Sequence, residues 1–183
     1  MITLVTFAEL KTFLDLSDAL ESDYPDLILI RDSVTSSIES YCRRLFEPIQ
    51  RTKTKFYRYS TLRIDLPAYP ISTVASITVD IGSGAVAQTV DTDFIILDDA
   101  IEFVEPLVAA KTVITYTGGL SVVPAELTRA ALLQTVYEYQ NKDSVGLENI
   151  SNQGGNITKP EIGLLKEVKQ ILDNGFVNPR VHF

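Results

Sequence analysis

Apolar positions change period along the chain. Thr6 and Glu9 have the spacing of a capping box, and Phe7, Leu10, Phe13 and Leu14 recur at helical steps toward Leu16, which predicts a first helix. Residues 17–23 are a polar break. Pro25 suits a first helical turn. Leu27, Ile30, Val34, Ile38, Tyr41, Cys42 and Leu45 then form one stripe at steps of three and four, which predicts a second helix running up to Pro48.

After Pro48 the period drops to two. Residues 51–58 alternate as a strand. Leu62, Ile64 and Leu66 alternate against Arg63 and Asp65, and Pro67 and Pro70 frame a turn. Residues 74–81 are β-branched, and Gly82-Ser83-Gly84 is a turn signal. Residues 86–90, 94–97, 101–104 and 112–116 add four more short strands. Strands this close together predict hairpins and an antiparallel sheet.

Gly118-Gly119 closes the strand series. Pro124 opens a third helix carrying Leu127, Ala131, Gln134 or Val136, and Tyr137. Residues 143–159 lose periodicity and collect Asn, Gly, Ser and Gln. Pro160 starts a last helix with Leu164, Leu165, Val168, Ile171 and Leu172 as its stripe, and Asn174-Gly175 is a C-cap signal. Segregated helices and strands predict an α+β fold. The expected organisation is a core domain over 1–142, a flexible linker over 143–159, and a C-terminal helix and tail over 160–183.

Composition narrows the function classes. At 183 residues the chain is one domain in size, and 45% hydrophobic residues rule out global disorder. One cysteine excludes an intrachain disulfide and a cysteine-based zinc site. No apolar run is long enough for a membrane span, and the N-terminus lacks a secretory signal, so a reduced cytoplasmic setting is expected. The net charge of −8 opposes general attraction to nucleic acid.

Little catalytic chemistry is on offer. The one histidine, His182, is the next-to-last residue, and Cys42 lies on the apolar stripe of a helix. Neither Gly82-Ser83-Gly84 nor Gly118-Gly119 continues as a phosphate loop. Asp91, Asp93, Asp98 and Asp99 lack the spacing of a calcium loop and read as hairpin ends. The Asn149 and Asn156 glycosylation patterns mean only a polar loop without a secretion signal. No catalytic, cofactor or metal site is assigned. Arg51, Lys53 and Lys55 share one strand face, which reads either as a phosphate-contacting surface or as a solvated face; the acidic chain favours the second. The last stripe, continued by Phe176, Val177, Val181 and Phe183, either closes the core or offers a partner site.

Several segments together resemble the head-to-tail connector (adaptor, or head-completion) proteins of long-tailed bacteriophages. They are the opening Thr6-Phe7-Ala8-Glu9-Leu10-Lys11, the helix end Ser40-Tyr41-Cys42-Arg43-Arg44-Leu45-Phe46, and Leu66-Pro67-Ala68-Tyr69-Pro70-Ile71 with Val74-Ala75-Ser76-Ile77. Asp93-Phe94 and Val113-Ile114-Thr115-Tyr116-Thr117-Gly118-Gly119, followed by Pro124-Ala125-Glu126-Leu127, complete the set. The resemblance covers residues 6–142. It implies a virion neck protein, assembled in the host cytoplasm as a ring of about twelve subunits beneath the portal, with a heterologous ring-closing interface. DNA would pass through without specific binding, and a stopper or tail-completion protein would dock below. The resemblance further implies portal contact by the C-terminal segment, here Leu164, Leu165, Val168, Ile171, Leu172, Phe176, Val177, Val181 and Phe183. The competing readings are a different neck component and, using strand 51–58, a nucleic-acid-binding module.

Overall fold

The computed structural model describes residues 3–16, 20–142 and 163–177. These form two compact units, one of strands within Arg43–Val122 and one of helices drawn from both sides of it. The mixed α+β class follows as expected.

The strand unit contains β1 (Ile49–Tyr57), β2 (Thr61–Asp65), β3 (Ile71–Asp80), β4 (Ala85–Ala87), β5 (Phe94–Ile96), β6 (Ala100–Leu107) and β7 (Ala110–Gly118). All seven correspond to segments of alternating or β-branched sequence. They form two antiparallel sheets, ordered β1-β7-β3-β4 and β2-β6-β5. Period two is cleanest in β7, where Ala110, Thr112, Ile114, Tyr116 and Gly118 turn inward. Of these, Ala110, Ile114 and Tyr116 join Ile77 of β3 and Ile64, Phe94, Ile101 and Phe103 of the second sheet in one core. Two sheets with one apolar face each bury those faces against each other. Hence only β3–β4 and β5–β6 are hairpins, and β1 and β2, adjacent in sequence, belong to different sheets.

The strand unit closes on a seam of close backbone contacts. The Leu120 amide donates to the Phe46 carbonyl at 2.7 Å. Gly119, at φ +134°, has the Phe46 and Glu47 carbonyl oxygens 2.6 Å from where a Cβ would stand. A Cβ on Gly118 would overlap the Ala68 carbonyl. The double glycine that ends the strand series is therefore a packing requirement as well as a turn.

The helical unit contains α1 (Phe7–Phe13), one 3₁₀ turn (Glu21–Asp23), α2 (Pro25–Cys42), α3 (Ala125–Gln140) and α4 (Lys166–Asp173). The capping box forms: the Glu9 amide donates to Thr6 Oγ1 at 3.3 Å and the Thr6 amide to Glu9 Oε2 at 2.7 Å. Leu10, Leu27, Val34, Ile38, Leu127 and Ala131 are buried. Cys42 is buried too, as its place on the stripe predicts.

Helix ends differ from expectation. α1 stops at Phe13 rather than Leu16, since Asp15 takes a left-handed φ of 54°. α2 stops at Cys42 rather than near Pro48. Arg43 turns the chain with φ 50°, and the Leu45 amide is taken by the Pro67 carbonyl at 2.8 Å. The neighbouring Arg44 guanidinium lies 3.7 Å from the Tyr69 ring centroid and donates to the Tyr69 carbonyl at 2.6 Å. Tertiary pairing thus overrides a helical pattern that continues through Leu45. The last helix begins at Lys166; Pro160 lies outside the described residues.

Candidate functional site

The C-terminal segment carries the first candidate surface. α4 packs along α3, with Val168 and Leu172 as its buried stripe. Leu164 and Phe176 are buried as well, whereas Leu165, Ile171 and Val177 are half-buried. The stripe thus belongs to the core of the helical unit. Val181, Phe183, His182 and the linker 143–159 lie outside the described residues.

Gln134 is what positions α4. Its side chain is fully buried on α3. Nε2 donates to Glu138 Oε1 at 2.8 Å and to the Gly163 carbonyl at 3.1 Å, and Oε1 accepts from the Leu165 amide at 2.9 Å. One side chain therefore holds the two ends of the short lead into α4. Two polar contacts lie further out. Tyr41 donates to Asp173 Oδ1 at 2.9 Å, and that bond, followed by burial, raises the Tyr41 pKa. Arg129 pairs with Glu167 at 3.0 Å. The sequence marks Gln134 only as a position on the apolar stripe. A glutamine at such a position, with its full set of partners inside the fold, is the signal that could have identified it.

The basic strand is the second candidate. Arg51, Lys53 and Lys55 do not form one free patch. Arg51 Nη1 donates to the Glu47 carbonyl at 2.7 Å and to the Ile49 carbonyl at 3.2 Å. Lys53 Nζ donates to the Asp65 carbonyl at 2.7 Å. Burial lowers the Lys53 pKa, Lys55 lowers it further, and Asp65 opposes both. Lys55 stays exposed, with Nζ 5.6 Å from the Tyr57 ring centroid. Burial and then Asp65 push the Tyr57 hydroxyl up to about 12. Two of the three cations are thus spent on backbone carbonyls.

The acidic residues resolve into structural roles. Asp80 Oδ1 accepts from the Gly82 and Gly84 amides at 2.8 and 3.1 Å, building the β3–β4 turn. Arg63 bridges Asp65 and Asp99, both at 2.7 Å. Asp93 Oδ2 accepts from the Thr89 amide at 2.7 Å. Among the described residues no group of three or more His, Cys, Asp or Glu side chains could hold a metal ion, and no helix is long and apolar enough to cross a membrane.

No family model and no curated protein matches the chain. Solved structures do. The chain is similar to one from the neck of an empty gene transfer agent (GTA) particle computed with C6 symmetry, at 17% identity and a TM-score of 0.64. It is similar to one from the virion of the native GTA particle, at 18% and 0.63, and to one from the native neck computed with C12 symmetry, at 16% and 0.57. Each match covers 98% of this chain and 92% of the other. At these identities the likeness shows a shared fold.

Proposed function

We propose that this chain is a structural, non-enzymatic neck protein of a phage-like particle. In this reading it is the adaptor: a ring of about twelve subunits beneath the portal that extends the DNA channel and carries the stopper or tail-completion protein. The observation carrying this is the likeness along 98% of the chain to chains of GTA neck and virion particles, in structures with sixfold and twelvefold symmetry. The resemblance of residues 6–142 to phage connectors points the same way.

The charge suits the role. A net −8 per subunit gives a ring of roughly −100, and a negative lumen lets duplex DNA slide without adhering. The engagement of Arg51 and Lys53 by carbonyl oxygens weakens the competing nucleic-acid reading. Portal contact is assigned to the segment 164–183. Because Leu164, Val168, Leu172 and Phe176 are buried in the helical unit, the contact falls to Leu165, Ile171 and Val177 and to the residues beyond, including Val181 and Phe183. Deleting residues 178–183 removes portal binding in a pull-down while leaving the described helices in place; undiminished binding would remove the C-terminal assignment.

The role itself is tested by electron microscopy of particles made with an early stop codon in this gene. The expected result is DNA-containing or leaking heads beside separate, complete tails. Normal tailed, infectious particles would refute a neck function. Copurification with tails rather than heads would move the chain to the tail side of the joint.

A further inference from the structure

β1 leaves one side of its backbone open. It is an outer strand of the larger sheet, with β7 as its one neighbour there. The pairing runs without a bulge from Ile49 opposite Gly118 to Tyr57 opposite Ala110. Among the described residues, the amides and carbonyls of residues 50–57 bond to nothing beyond β7. Every second residue of an antiparallel strand turns its amide and carbonyl away from its partner. Over the 9 residues of β1, a row of donors and acceptors about 30 Å long therefore faces outward. The other outer strands are poor templates. β4 and β5 have 3 residues each, and β2 has 5 with a register shift between Thr61 and Arg63.

Long edges are usually guarded by a proline, a bulge or a lysine reaching over them. β1 has no proline and no bulge. Its Arg51 and Lys53 side chains are held back by the Glu47, Ile49 and Asp65 carbonyls. On the opposite face Gln50, Thr52, Thr54 and Phe56 are exposed, Phe56 by 58%. An open edge of this kind is a place for strand addition.

Charge identifies the occupant. Arg51, Lys53 and Lys55 alternate along one face of β1. Bonds to carbonyls use their donors without neutralising their charge. Glu47 stands 3.9 Å from Arg51, but Lys53 and Lys55 form no ion pair among the described residues, and the Asp65 carboxylate is taken by Arg63. A second β1, paired antiparallel with like faces together, sets cations opposite one another and so is disfavoured. A strand with carboxylates at alternate positions places them against Lys53 and Lys55 instead. Its intervening residues fall beside Thr52, Thr54 and Phe56, where β-branched or aromatic side chains pair best.

We propose that β1 is a strand-addition site for a partner protein: an extended segment in which carboxylates alternate with apolar residues joins the larger sheet as its fifth strand. Main-chain hydrogen bonds supply the affinity and the Lys53/Lys55 row the selectivity. The inference does not depend on the neck reading.

Titrating the full chain with a capped peptide of about nine residues, alternating glutamate and valine, tests it by amide NMR and hydrogen exchange. At saturation the outward amides of β1 exchange at least about tenfold more slowly, and those of α3 are unchanged. Lys55→Glu, at an exposed position, keeps the wild-type melting temperature and binds about fivefold more weakly or worse. A peptide with lysine in place of glutamate does not bind. N-methylation of every second peptide residue blocks binding in one phase and spares it in the other, which separates backbone pairing from side-chain contact. Binding that tolerates both N-methylated forms overturns the proposal, as does equal binding of the lysine peptide or no binding at millimolar peptide. Protection of the same amides that grows with protein concentration, without peptide, assigns the edge to a second copy and overturns it as well.

Discussion

Replacing Gln134 with alanine tests whether one buried amide fixes the C-terminal helix. The side chain makes three hydrogen bonds, two of them to the backbone of Gly163 and Leu165 just before α4. Truncation leaves the Leu165 amide and the Gly163 carbonyl without that partner in a partly buried place, at a cost of about 1–3 kcal/mol. The space vacated on α3 adds about 1 kcal/mol. The total is about 2–4 kcal/mol. α4 spans 8 residues, short enough that its helicity depends on docking rather than on propensity. The loss therefore falls on local opening of the segment, and amide exchange across residues 163–177 accelerates by roughly 30-fold to several hundred-fold. Hydrogen exchange read by mass spectrometry resolves this, with β7 as the internal control that does not change. Exchange of 163–177 within about threefold of the wild type would refute the anchoring role.

Gly119→Ala sets a Cβ 2.6 Å from two carbonyl oxygens at a φ of +134°. It is expected to cost more than about 3 kcal/mol and to lower the strand unit's melting temperature by about 12 °C or more, measured by calorimetry. Leu172→Ala opens a cavity under α4 and costs about 2–4 kcal/mol in denaturant unfolding of the helical unit. Tyr57 has its pKa raised from 10.0 to about 12, so the folded state holds the proton that the unfolded chain releases. Its stabilisation is intact below pH 10 and lost as pH climbs to about 12. Tyr57→Phe therefore flattens the alkaline decline of the melting temperature across that window.

Much of the architecture was legible because local pattern and tertiary role agree. The Thr6 capping box, Pro25, Pro124 and the seven strands all have sequence signals that the packing reinforces. The errors arise where a distant partner decides. Leu45 continues the α2 stripe, yet the Pro67 carbonyl claims its amide, and no local signal announces that. Two sheets instead of one follow from burying two apolar faces, a fact of three dimensions. The basic strand looked like a surface because alternation gives the face and not its contents. The face meets backbone carbonyls that only the fold supplies. The pattern of the C-terminal stripe fits a core and a partner surface equally, and Gln134 is the residue that turns it inward.

The hydrogen bond between Leu120 and Phe46 has a consequence for how the chain is wired. The strand unit is an insertion of about eighty residues between α2 and α3, and that bond holds its entry and exit side by side. To α2 and α3, a folded insert behaves as a tether of a few residues. Closing a loop of about eighty rather than about five residues would cost roughly 2.5 kcal/mol more in chain entropy. Strand folding therefore delivers α2 and α3 to each other at the cost of a short turn. It also marks Arg43–Val122 as a cassette that can be excised and replaced by a brief linker, or carried to another host chain, with both termini already joined.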